Sequence, residues 1–188
     1  MLICFALFLY GYCLGVIGSE DFYRFEIKLE LLPMVALCGI GLGLLWGMPL
    51  QSLLFGFCVW FIPALIYQRL RPSSFGQGDI WLFGTAGFVF GVEYSAVGAL
   101  LFGAFSVVTA WVYARRRGKG FGRSLFPAAI PMVIALLVVV QWRLFASLNN
   151  ASDTDPISFT VLLLAPAGIL LGAMLYQLRM APKGGPAR

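Results

Sequence analysis

Long apolar runs separated by short polar connectors dominate this chain. The runs lie near Leu2–Gly18, Leu31–Gly47, Leu50–Gln68, Ile80–Phe90 extended through Tyr94, Ala96–Ala114, Leu125–Phe145 and Ile157–Leu178. Crossing the hydrocarbon of a bilayer takes about 20 apolar residues in a helix, within a range of roughly 17 to 25. The pattern therefore predicts an all-α, polytopic transmembrane helical bundle of about seven spans, with the fourth the shortest. Residues 1–178 read as a single transmembrane domain and residues 179–188 as a flexible cytoplasmic tail rich in Pro and Gly. The first run has no basic segment ahead of it and no clear small-x-small site before Ser19, so it reads as a retained span rather than a secretory signal.

Composition agrees with the pattern. Hydrophobic residues make up 61% of the chain, charged residues 11%, and the mean hydropathy is +0.91. A water-soluble fold of 188 residues has too little interior to hide that much apolar surface. The net charge of +5 does not point to nucleic acid, because the basic residues sit in the gaps between apolar runs instead of forming one face. With the N-terminus placed outside, the connectors 19–30, 69–78 and 115–124 and the tail all face the cytoplasm. They hold 12 of the 13 basic residues, leaving Arg143 near the opposite face. This is the asymmetry of the positive-inside rule, and it predicts an inner, cytoplasmic membrane protein with its C-terminus in the cytoplasm.

Histidine is absent, and Cys4, Cys13, Cys38 and Cys58 stand singly within apolar runs, so no metal site and no cofactor is expected. Chemistry is left to eight carboxylates. Asp153 and Asp155 belong to a polar outer loop, Glu93 to the outer end of the fourth run, and Glu26 and Glu30 to a connector that also holds Arg24 and Lys28. Asp79 differs. It follows Phe75-Gly76-Gln77-Gly78 at the mouth of an apolar span, and the missing Cβ atoms at Gly76 and Gly78 would permit positive φ and close approach of an extended peptide. The bland alternative is that Asp79 only caps a helix.

A second carboxylate on the same membrane face comes from Asp21, with Glu20 beside it as a fallback. Two acids at one depth form a dyad that hydrolyses a peptide without metal, serine or histidine. One takes a proton from water while the other, kept neutral, polarises the scissile carbonyl. Asp79 at a helix N-terminus would begin as base, and Asp21 near a helix C-terminus as acid.

These residues resemble a family. Gly76-Gln77-Gly78-Asp79-Ile80-Trp81-Leu82, followed by Gly84, Gly87 and Gly91, is similar to the GxGD motif of the type IV prepilin and preflagellin peptidases, which are membrane aspartyl proteases. Asp21-Phe22-Tyr23-Arg24-Phe25-Glu26-Ile27 resembles their first catalytic segment, and Phe126-Pro127-Ala128-Ala129-Ile130-Pro131 loosely resembles a Pro-containing start of a span. The similarity extends over about residues 10–140. It implies a six-helix peptidase core plus one span, with Asp21 and Asp79 catalytic. The implied reaction is cytoplasmic-face removal of the basic leader from a pilin-like precursor. Lys28-Leu29 stands where the family commonly has Pro-Asn, and Trp81 where it commonly has lysine. The four-cysteine module of the larger bacterial enzymes is absent, and with it the expectation of N-methyltransferase activity. The competing readings are a non-catalytic membrane assembly component or an inactive relative, and a small transporter. The last is disfavoured because no acid stands at mid-depth. The partners expected are the precursor and membrane lipids.

Overall fold

A computed structural model describes residues 2–24, 27, 29–70, 76–117, 128–150, 166–169 and 171–174. Among these the chain is all-helical: α1 (Leu2–Arg24), a 3-10 turn (Leu29–Leu31), α2 (Leu32–Leu45), α3 (Leu50–Leu70), α4 (Gln77–Phe90), α5 (Ser95–Arg117) and α6 (Ala129–Asn150). Residues 166–169 and 171–174, inside the seventh expected span, are helical as well. The tail 179–188, Lys28, Phe126, Pro127, Asp153 and Asp155 lie outside the described residues.

Among the described residues, three helical stretches are long and apolar enough to cross a membrane: Leu50–Leu70, Ser95–Arg115 and Ala129–Ala146. Their outward faces carry large apolar side chains such as Phe55, Ile66, Leu100, Val107 and Trp142, a surface suited to lipid and costly in water. Two helices fall short of a full crossing, as the short fourth run already indicated for α4. At 1.5 Å per residue, the 14 residues each of α2 and α4 span about 21 Å, against about 30 Å of hydrocarbon.

Packing explains how α4 tolerates this. It is apolar on all sides, with residues such as Ile80, Leu82, Phe83, Ala86, Val89 and Phe90 buried, and it packs against α2, α3 and α6. A helix walled by other helices needs no full bilayer length of its own. Its contact with α3 is backbone-close, since a Cβ on Gly87 would fall on the Gly56 carbonyl and one on Gly56 would fall on the Gly87 carbonyl. Small residues allow such approach, which gives dense packing where hydrocarbon supplies no hydrophobic drive. The same device recurs at α1. Gly168 and Gly172, four residues apart, lie on the backbone of Phe8, Gly11 and Tyr12, while Gly15 meets the carbonyl of Ile169. This closure puts residues 166–169 and 171–174 against α1, the first helix.

Candidate active site: two aspartates at helix ends

Asp21 lies in the last turns of α1, three residues beyond Gly18 where the first apolar run stops. Its side chain is buried, only 4% exposed, and one carboxylate oxygen accepts the Ala129 backbone N–H at 2.7 Å. Ala129 is the first residue of α6, whose opening N–H groups have no partner within the helix. Pro131 lacks one altogether. Asp21 therefore sits near the C-terminus of its own helix, yet its carboxylate addresses the N-terminus of another. Chain order hides this contact, because 108 residues separate its partners.

Asp79 occupies the third position of α4, with Gly76 as the residue flanking the helix start. The Gly76 N–H donates to Asp79 Oδ2 at 2.9 Å, while Asp79 Oδ1 is buried without a hydrogen-bond partner. The side chain thus folds back on its own helix start, where the positive end of the dipole favours a carboxylate. Gly76 is extended, with φ −70 and ψ 160; among the described residues the positive-φ glycines are Gly47 and Gly91. Gly78 is needed for close approach, and the approaching group is the chain itself. A Cβ there would stand 2.6 Å from Ile27 Cβ and 2.8 Å from the Ile27 carbonyl oxygen. Ile27, three residues past the end of α1, thereby lies over the start of α4, on the same side as Asp79.

Both carboxyls hold their protons more tightly than an ordinary aspartate. Burial pushes Asp21 up to about 7, with the Ala129 hydrogen bond pulling against it and the charge of Asp79 adding to it. Burial also raises Asp79, opposed by the Gly76 N–H. The acids are thus within electrostatic reach of each other, and ionised Asp79 strengthens the hold of Asp21 on its proton. Glu20 is buried too, at 2% exposed, so adjacent carboxyls are withdrawn from water at the end of α1. Trp81, two residues past Asp79, is 42% exposed and lies tilted against the rings of Phe57 and Phe61 of α3. Among the described residues, no group of His, Cys, Asp and Glu is arranged to hold a metal ion.

No protein-family model matches the chain, and no curated protein or solved structure does.

A second polar cluster escaped the sequence reading. At the far end of α4, the Ser52 hydroxyl donates to Glu93 at 2.8–2.9 Å, and Arg143 is buried, 6% exposed, beside Trp46 and Tyr94. Sequence alone made Glu93 an ordinary interfacial charge and Arg143 the odd basic residue out. The available signal was Arg143 inside an apolar run, where an ionisable side chain carries a high desolvation cost, whereas Glu93 stays exposed at the end of its own run.

Proposed function

We propose that the chain is an integral membrane aspartyl endopeptidase. Its substrate would be a pilin-like precursor, cut between a basic leader and a hydrophobic helix at the cytoplasmic face of a bacterial inner membrane. What supports this reading is that buried Asp21 and half-buried Asp79, from distant segments, both hold their protons more tightly than ordinary aspartates, with the charge of Asp79 adding to the rise at Asp21. The resemblance of Gly76-Gln77-Gly78-Asp79 to the GxGD motif, and of the Asp21 segment to its partner, supplies the reaction class. In this reading about seven spans cross the membrane, with the N-terminus outside and the C-terminus in the cytoplasm.

The mechanism follows from the asymmetry of the pair. Asp79 ionises first, and its charge then holds the proton on Asp21. Anionic Asp79 takes a proton from water as the water oxygen bonds to the scissile carbonyl carbon. Asp21 gives its proton to the carbonyl oxygen, and a tetrahedral diol results. On collapse one diol hydroxyl returns a proton to Asp21, protonated Asp79 delivers its proton to the leaving nitrogen, and the C–N bond breaks. Each aspartate ends as it began. The starts of α4 and α6, converging on the pair, favour the negative charge that develops.

A second reading, a non-catalytic assembly component or inactive relative, is favoured by the structural work both carboxylates already do at helix starts. Incubating the purified protein in lipid with a candidate precursor separates the two readings. Loss of cleavage in both Asp21→Asn and Asp79→Asn, with normal insertion, supports the peptidase. Full cleavage by either variant removes that residue from the site.

A further inference from the structure

The cluster around Arg143 lies about 21 Å from the aspartates, since 14 residues of α6 separate Arg143 from Ala129. Trp46, Met48, Glu93, Tyr94 and Arg143 border a cavity of about 360 Å³ there. That volume equals roughly a dozen waters and falls within the range of small-ligand pockets. The guanidinium lies 4.0 Å from the Tyr94 ring centroid and 5.2 Å from that of Trp46. It donates to the Met48 sulfur at 2.9 Å and to the Phe90 carbonyl at 3.4 Å.

Glu93 is placed with equal care. Gly91, at φ +56, turns the chain so that Glu93 folds back, and a Cβ on Gly91 would come within 2.6 Å of Glu93 Oε2. The Ser52 hydroxyl donates to this carboxylate and accepts the Val92 N–H at 3.2 Å. One fixed cation and one fixed anion thus border the same small cavity, beside aromatic faces that themselves attract cations. Such a wall complements a zwitterion: an anionic oxyacid for the guanidinium, an ammonium for the carboxylate.

The surroundings identify the source. Leu44, Leu45, Leu50, Val92, Trp142 and Phe145, on the helix ends nearby, are each at least 46% exposed. Lipid covers this apolar surface in a bilayer, so a headgroup whose acyl chains already lie along it is the zwitterion held next to the cavity, whereas a chain-free one must come from dilute solution. We propose that this cavity is a binding site for a phosphatidylethanolamine headgroup in the leaflet opposite the aspartates, its phosphate on Arg143 and its ammonium on Glu93. Bound there, the lipid ties together the ends of α2, α4 and α6.

Native mass spectrometry of the whole protein, with defined lipids added in detergent, tests the assignment. Wild type should retain phosphatidylethanolamine about tenfold more tightly than phosphatidylglycerol, the factor expected from one charge-assisted hydrogen bond. Glu93→Gln, nearly isosteric, should erase that preference while leaving phosphatidylglycerol retention unchanged. Arg143→Gln should weaken both lipids. If Arg143→Gln does not fold, Glu93→Gln decides alone. Equal retention of the two lipids by wild type, or an undiminished preference in Glu93→Gln, overturns the proposal. Chain-free glycerophosphoethanolamine competing as well as the lipid does so too. None of these outcomes bears on Asp21 or Asp79.

Discussion

Replacing Asp21 by Asn should make the folded protein more stable at pH 8 while abolishing cleavage. Burial raises the Asp21 carboxyl from the ordinary 3.8 to about 7. Between those values the folded chain keeps the proton and the unfolded chain releases it, so stability falls as pH rises through this window and is level above it. Each tenfold change in proton affinity corresponds to about 1.4 kcal/mol, so the rise to about 7 amounts to a loss of up to about 4 kcal/mol. Asn carries no charge at any of these pH values, and its amide oxygen still accepts the Ala129 N–H. The variant should therefore match wild type near pH 4 and exceed it at pH 8. Thermal unfolding in one detergent at both pH values reads the difference, which should reach several degrees at about 2–4 °C per kcal/mol. A variant equally destabilised at both pH values, or a wild-type midpoint that is flat from pH 4 to 8, would refute the reasoning. The buried carboxyl would then be ionised without cost, and the acid role assigned to it would fail.

Three further predictions concern the same assembly. Cleavage by wild type should decline above about pH 7 as Asp21 loses its proton, and on the acid side at a pH above the usual aspartate range, because Asp79 must be ionised and burial raises it; rates across pH 4–9 check both limbs. Gly78→Val should abolish cleavage and cost about 1–3 kcal/mol, since its side chain would occupy the place of Ile27, whereas Gly41→Ala, inside α2 with open space around its Cβ, should leave cleavage unchanged and lose no stability. Gly168→Val should lower thermal stability by a similar 1–3 kcal/mol by forcing the segment around it away from Phe8 and Tyr12; an unchanged unfolding midpoint would count against that contact.

Several features were legible in the residues in order. The apolar runs located α1 to α6, because hydropathy and length act locally and a helix satisfies its own backbone. The Gly-x-Gly-Asp stretch singled out Asp79 by chemistry that needs no fold. Other features depended on which helices lie side by side. Asp21 bonds the start of α6 across 108 residues, and no local pattern carries that information. Gly78 looked like room for a substrate and is filled by Ile27, because a missing Cβ announces close approach without naming what approaches. The shortness of α4 became intelligible only once its packing against α2, α3 and α6 was seen. Glu93 and Arg143, 50 positions apart in the sequence, became one cavity only through the packing of α2, α4 and α6. Sequence by itself determined the solvent this chain requires, since that depends on summed apolar content. Tertiary structure decided which charges share a low-dielectric space, because proton affinity and ion recognition depend on distance and burial that a linear order does not encode.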